Sequence, residues 1–219
     1  KERASIDYNK DSDIQPTIIY TTRNKVDEIN VKRMKLLNKD VKKYTVKTIL
    51  SGTKKNDIPS ELVKKMENHI DTNSQYSSDL ELCIGCQVML IANINQDEGL
   101  VNGSRGVITQ FLLNYPVVKF LNGKEIVINP HVWNEEINEN MIVGRSQIPL
   151  KLAWAITHHK SQGVSLDYAL IDIGKNIFEY GQSYVALSRV RNLNGLSINN
   201  LNISKIKAHP KVINYYKDL

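Results

Sequence analysis

With 219 residues, 41% of them hydrophobic, and a formal net charge of +6, the chain is long enough to bury one good core or two small ones. Its longest apolar stretches, around residues 88–92 and 151–156, fall far short of the roughly 20 residues a membrane helix needs, so no segment is expected to cross a bilayer. Lys1-Glu2-Arg3 runs into polar residues rather than an apolar stretch, which reads as no secretory signal and an intracellular protein.

In chain order, Thr17 to Thr21 is a short β-branched run. Arg23-Asn24 follows, then Val26, Ile29, Met34 and Leu37 at helical spacing: a strand, a turn and a helix. Residues 43–50 read as a strand, and Pro59-Ser60-Glu61 opens a helix with Leu62, Met66 and Ile70 on its apolar face. Asp71 to Ser78 is a polar loop. From Leu82 onward short strands alternate with turn dipeptides, at 87–92, 106–112, 117–121 and 126–128. Asn102-Gly103 and Asn122-Gly123 lie between them, and Asn-Gly is the residue pair that favours a type I′ turn. A small β-barrel is expected over 95–148. Helix and strand alternation then returns, with a helix over 153–162 stopped by Gly163, a strand at 169–173, a helix over 179–190, a strand at 196–198 and a last helix over 210–217. Strands alternating with helices imply a largely parallel sheet, so the expected fold is an α/β domain interrupted by the barrel.

The positive charge suits a polyanion, because Lys and Arg displace counterions from phosphates, although an Asn-, Lys- and Ile-rich composition also supplies lysines without any such partner. Cys83 and Cys86, the only cysteines, form a lone CxxC. Neither two further zinc ligands nor a strand-to-helix redox context accompanies it, so ordinary buried thiols are expected. The sequons at Asn102 and Asn202 carry little meaning without secretion.

The densest chemistry lies in Leu150-Lys151-Leu152-Ala153-Trp154-Ala155-Ile156-Thr157-His158-His159-Lys160-Ser161-Gln162-Gly163-Val164-Ser165-Leu166-Asp167. Taken as a helix, it ends in hydroxyls, imidazoles, an ammonium, an amide and a glycine, which are short-range donors suited to sugar and phosphate oxygens. A polar helix end is the plain alternative, with His158 and His159 as surface histidines too divergent in direction to share a metal.

This segment resembles motif V of the Pif1-like superfamily 1 DNA helicases, whose usual form is close to LAWAxTIHKSQGxTLD. Three further segments are similar to that family in the same order: Gly85-Cys86-Gln87-Val88-Met89-Leu90-Ile91, Gly99-Leu100-Val101-Asn102-Gly103-Ser104-Arg105-Gly106-Val107, and a motif VI in Tyr180-Gly181-Gln182-Ser183-Tyr184-Val185-Ala186-Leu187-Ser188-Arg189-Val190-Arg191. A weaker likeness to motif IV lies in residues 16–30. The family has Ala where Cys86 stands and often Ile where His158 stands.

The resemblance implies a second RecA-like domain (2A, residues 1–94 and 149–219) with an SH3-like barrel (2B, 95–148). It implies that Arg189 reaches the γ-phosphate as an arginine finger, that Gly163 and Arg23 are further nucleotide contacts, and that Thr157, His159, Lys160, Ser161, Gln162 and Asn102 touch DNA. Arg191 is left between a phosphate contact and a structural role, and Arg23 between a nucleotide contact and an ordinary surface arginine. The implied ligands are ATP with Mg²⁺, and the implied partners are single-stranded, duplex or fork DNA and an N-terminal RecA-like domain bearing the P-loop. The sequence shows no G-x-x-x-x-G-K-[ST] and no Walker B pair. Ser51-Gly52-Thr53-Lys54-Lys55 is a decoy that reads as a basic turn. ATP and Mg²⁺ are thus expected only with the P-loop domain, and this chain alone is expected to be inactive. The second reading is a stand-alone nucleic-acid-binding module derived from a helicase, and the third an interaction module.

Overall fold

The computed structural model describes residues 14–217, and the reading of Lys1-Glu2-Arg3 falls outside them. The chain begins with strand β1 (Thr17–Tyr20) and helix α1 (Arg23–Leu36), then β2 (Lys42–Thr45), β3 (Lys47–Ser51) and α2 (Ser60–Asn73). A run of strands follows: β4 (Asp79–Leu82), β5 (Gln87–Leu90), β6 (Arg105–Leu112), β7 (Tyr115–Phe120), β8 (Glu125–Val127), β9 (His131–Asn138), β10 (Met141–Gln147) and β11 (Leu150–Leu152). The chain closes with β12 (Ala155–Thr157), β13 (Ala169–Asp172), α3 (Gln182–Leu187), β14 (Leu196–Asn199) and α4 (Pro210–Lys217). No helix among the described residues is long and apolar enough to cross a membrane.

These elements form two compact units, one from the described residues up to 36 together with those from 152 onward, and one from 37–151. The first is built on a wholly parallel sheet in the order β12-β1-β13-β14. Such a sheet is buried on both faces, which matches fully enclosed Ile19, Ala155, Ala169 and Ile171. On α1 the enclosed positions are Val26, Asn30 and Met34, four residues apart, and the helix packs on β12. The α/β expectation holds here.

The segment expected as a helix over 153–162 is instead an edge strand followed by a tight turn. Ala153 to His158 are all buried. A stretch enclosed on successive residues, with β-branched Ile156 and Thr157 at its end, belongs to a parallel strand, and apolar periodicity alone does not separate that from a buried helix. The helix expected over 179–190 is shortened to α3, because Gly181, at φ +74°, holds a left-handed conformation immediately before it.

The second unit contains a five-stranded sheet, β11-β5-β6-β7-β8, a three-stranded sheet, β3-β10-β9, and the antiparallel pair β2-β4. The single strand expected at 43–50 is divided at Val46, so that β2 pairs with β4 while β3 pairs with β10. Residues 37–94, expected with the α/β domain, therefore pack with 95–151, and the expected boundary at 95 lies inside a compact unit. Its core joins Ile58, Ile70, Tyr76, Ile91 and Val143, with Met66 and Trp133 packed against them. Beside it Arg145 holds Asp71 through two bonds, Nε to Oδ1 at 2.9 Å and Nη2 to Oδ2 at 3.0 Å, and also reaches Glu67. α2 runs on through Asn73, three residues into the stretch expected as loop.

Turn chemistry differs from expectation in an instructive way. At Asn122-Gly123 only the glycine has positive φ, and Gly123 N–H bonds to Phe120 O at 3.0 Å. This is a three-residue loop closed by a left-handed glycine rather than a type I′ turn. The two-residue loop with both φ values positive is Leu113-Asn114, at 48° and 71°, between β6 and β7. Strand pairing forces Leu113 into a conformation its branched side chain disfavours. The basic turn at Gly52 is structural: Lys54 N–H bonds to Asn140 O at 3.0 Å and Thr53 Oγ1 to Asn140 Oδ1 at 2.6 Å.

Candidate nucleotide and nucleic-acid site

Open parallel sheets place their ligand sites beyond the carboxyl ends of the strands. In the first unit β1 ends at Tyr20, and three residues later Arg23 opens α1. Its neighbour β12 ends at Thr157, paired with Tyr20, and the next residue, His158, donates its backbone N–H to Tyr20 O at 3.0 Å. Both segments thus leave the same sheet end side by side.

After Thr157 the backbone folds into two linked turns. Ser161 turns back on His158, its Oγ donating to His158 O at 2.6 Å, and Lys160 N–H donates to Thr157 Oγ1 at 3.2 Å. Val164 N–H then donates to Ser161 O at 3.0 Å, with Gln162 at φ −60°, ψ 131° and Gly163 at φ +75°, the pattern of a type II turn. Nothing lies within 4 Å of where a Cβ on Gly163 would sit, so backbone conformation and not crowding requires the glycine, and that side of the turn is open. Ser161 and Thr157 are buried and shape the turn, whereas His159, Lys160, Gln162 and Gly163 are exposed on it.

The site is electropositive. Lys160 is exposed along its chain, yet the surroundings of its ammonium lower its pKa, first through burial of that end and next through repulsion from Arg23, with Asp27 opposing. Arg23 pairs only loosely with Asp27, at 3.6 Å. His159 Nε2 lies 3.0 Å from Glu179 Oε2, and α3 packs against the turn at 159–161.

Arg189 follows directly on α3. Its Nε donates to Val185 O at 2.8 Å and its Nη2 to Ser188 Oγ at 2.8 Å, and among the described residues no carboxylate pairs with it. Arg191 differs: its Nη1 is 3.2 Å from Asp167 Oδ1, which gives it a structural partner. Asn102 lies in the other compact unit, where its N–H donates to Asn93 Oδ1 at 2.9 Å and its own Oδ1 is buried without a hydrogen bond. Gly103 beside it has positive φ and Asn102 does not, so this Asn-Gly is no type I′ turn either.

The family model described as "DNA helicase Pif1, 2B domain" matches residues 65–111. The ATP-dependent DNA helicase PIF1 of Xenopus laevis is 44% identical over 161 residues, covering 72% of this chain and 25% of that protein. The crystal structure of Pif1 helicase from Candida albicans superposes with a TM-score of 0.75 at 33% identity, covering 99% of this chain and 52% of that one. The chain belongs to the Pif1-like helicases. It spans about a quarter of the curated PIF1 proteins it matches. A Pif1 from Bacteroides, solved with ADP-AlF3 and single-stranded DNA, superposes with a TM-score of 0.63 at 27% identity, over 99% of this chain and 48% of that one.

In this Pif1-like chain the parallel sheet, residues 157–163, Arg23 and Arg189 all belong to the first unit. Two residues of consequence escaped sequence reasoning. Asn30 entered only as the last residue of the weak motif IV likeness, with no role given, yet its Nδ2 donates to Ala155 O and its Oδ1 accepts from Ala155 N–H, both at 2.9 Å. His158, expected at the surface, is only 1% exposed. Burial pulls its pKa down to about 4; backbone groups of Ile19 and Asp172 approach and oppose the fall, but neither ring nitrogen has a well-formed hydrogen bond.

His158 is therefore neutral when folded and titrates near the ordinary histidine value of 6.5 when unfolded. The unfolded chain takes up the proton first, so stability is complete above pH 6.5 and falls as the pH drops toward about 4. His158→Ile is expected to remove that decline, on the order of 2 kcal/mol between pH 7 and pH 5. Urea midpoints at the two pH values check this; equal losses in both proteins would show that His158 is not the titrating group.

Proposed function

We propose that this chain is the C-terminal motor part of an ATP-dependent DNA helicase that moves 5′-to-3′ on single strands and opens duplex or fork DNA. The 37–151 unit is read as containing its 2B-like barrel. In this reading the chain supplies one wall of an ATP site, and a RecA-like domain bearing the P-loop and the Mg²⁺ ligands supplies the other. The observation that carries the reading is the guanidinium of Arg189, aligned by Val185 O and Ser188 Oγ and matched to no carboxylate, in a unit whose electropositive turn faces solvent.

Each residue then has a task. Arg189 offers a permanent positive fork to the charge that builds on the transferred phosphoryl group. Arg23 and Gly163, whose outer side is open, are read as further nucleotide contacts. The Thr157–Gly163 turn, with His159, Lys160, Ser161 and Gln162, holds the DNA backbone without reading bases, as a motor that steps through any sequence requires. Asn102 adds a DNA contact from the second unit. The Pif1 from Bacteroides solved with ADP-AlF3 and single-stranded DNA holds both kinds of ligand, which supports this assignment.

The isolated chain is expected to turn over no ATP, because the P-loop that holds the β- and γ-phosphates is not in its sequence. Phosphate release by the purified chain with and without single-stranded DNA tests this. Turnover that disappears in Arg189→Ala would overturn the shared-site reading. Tight, salt-sensitive DNA binding by the chain, with no activity gained on adding a P-loop domain, would favour the stand-alone binding module.

A further inference from the structure

The helicase reading makes no use of Cys83 and Cys86. They occupy the first and last positions of a hydrogen-bonded turn between β4 and β5: Cys86 N–H donates to Cys83 O at 3.1 Å, and Gly85 has φ +88°. The Cα atoms at the ends of such a turn lie within about 7 Å, inside the span a disulfide bridges. The sulfurs are 3.4 Å apart, and Cys83 N–H also points at Cys86 Sγ, at 3.4 Å. Ile108 pins the turn from the neighbouring strand, accepting from Gly85 N–H at 2.8 Å and donating to Cys86 O at 3.0 Å. The Cys86 side of the turn is thus held in place, with the two sulfurs already facing each other. The turn also links two sheets, since β4 pairs with β2 while β5 pairs with β6.

We propose that Cys83 and Cys86 are a dithiol site that closes to an intrachain disulfide when met by a small-molecule disulfide. One cysteine, as thiolate, attacks a sulfur of the oxidant, forming a mixed disulfide and releasing one thiolate. The other then attacks the protein sulfur of that mixed disulfide, forming the Cys83–Cys86 bond and releasing the second. The two protons leave with the two thiols formed, so the oxidant gains the two electrons the cysteines lose.

Burial sets the rate. Both sulfurs are fully enclosed, and burial, with the neighbouring Cys83 thiol, pushes Cys86 up to about 12, so closure is slow at neutral pH and quickens as the pH rises.

The test is equilibration of the chain in glutathione buffers of graded thiol-to-disulfide ratio, native and in urea, followed by acid quench, alkylation and intact mass. The native chain is expected to lose the mass of two hydrogen atoms and accept no alkylating group, reversibly on reduction. Its equilibrium constant for closure should be at least about tenfold larger than in urea, because the folded turn holds the sulfurs together. Cys83→Ser is expected to yield only a glutathione adduct on Cys86. Two free thiols in the folded, fully oxidised sample would overturn the proposal. So would two separate adducts, disulfide-linked dimers, or closure no more favourable folded than unfolded.

Discussion

Replacing Arg189 by Ala in a protein that joins this chain to the proposed P-loop domain is expected to lower DNA-stimulated ATP hydrolysis by about 10³-fold or more, with nucleotide affinity changed only severalfold. The ground state of ATP is held mainly by the P-loop wall, whereas a finger contributes most when charge has moved onto the transferring phosphoryl group, so the loss belongs in kcat. Arg189→Lys is expected to recover little, because an ammonium is a point charge without the planar fork. Arg191→Ala should cost far less, since that guanidinium is already committed to Asp167. Steady-state kcat and KM for the three variants decide the matter; a loss under about tenfold in Arg189→Ala would argue that this arginine is structural.

Asn30→Leu is the second substitution with a large expected effect. β12 is the edge of the parallel sheet, and an edge strand presents unpaired backbone groups. Asn30 satisfies both polar groups of Ala155 at once, from a helix packed over that edge and with its own side chain buried. Leucine keeps the bulk of the side chain and removes both bonds, leaving a buried N–H and a buried C=O without partners, at about 1 to 3 kcal/mol each. The expected loss is on the order of 3 kcal/mol in the urea unfolding free energy. Because β12 leads directly into Thr157 and the turn, DNA binding should weaken as well. A change below about 0.5 kcal/mol would mean that water or a shift of α1 replaces these bonds.

Much of the chemistry was visible before the fold was known. The run from Leu150 to Asp167 and the run from Tyr180 to Arg191 carry their residue types and spacing in the chain itself, and the resemblance to Pif1-like helicases rests on them. Strand β1, helix α1, strands β13 and β14 and helix α4 were legible because apolar residues recur there at recognisable periods. Residues 153–162 misled for the opposite reason: six consecutive buried residues have no period, and only the neighbouring strand β1 and Asn30 on α1 make them a strand. The same limit applied to 43–50, where one continuous run serves two partners, β4 and β10.

What the sequence by itself determined is therefore the family, the α/β class and the list of candidate residues for phosphate contact, since these follow from local patterns of residue type. Only the tertiary structure decided which side chains are available for it. Arg189 and Arg191 stand two residues apart, yet Asp167, twenty-four positions before Arg191, pairs with one, while among the described residues no carboxylate pairs with the other. His158 and His159 are adjacent, yet one is enclosed under the sheet end and neutral, while the other is exposed beside Glu179. The reason is common to both pairs: charge state and availability depend on burial and on partners brought in from distant parts of the chain, and no local pattern encodes those contacts.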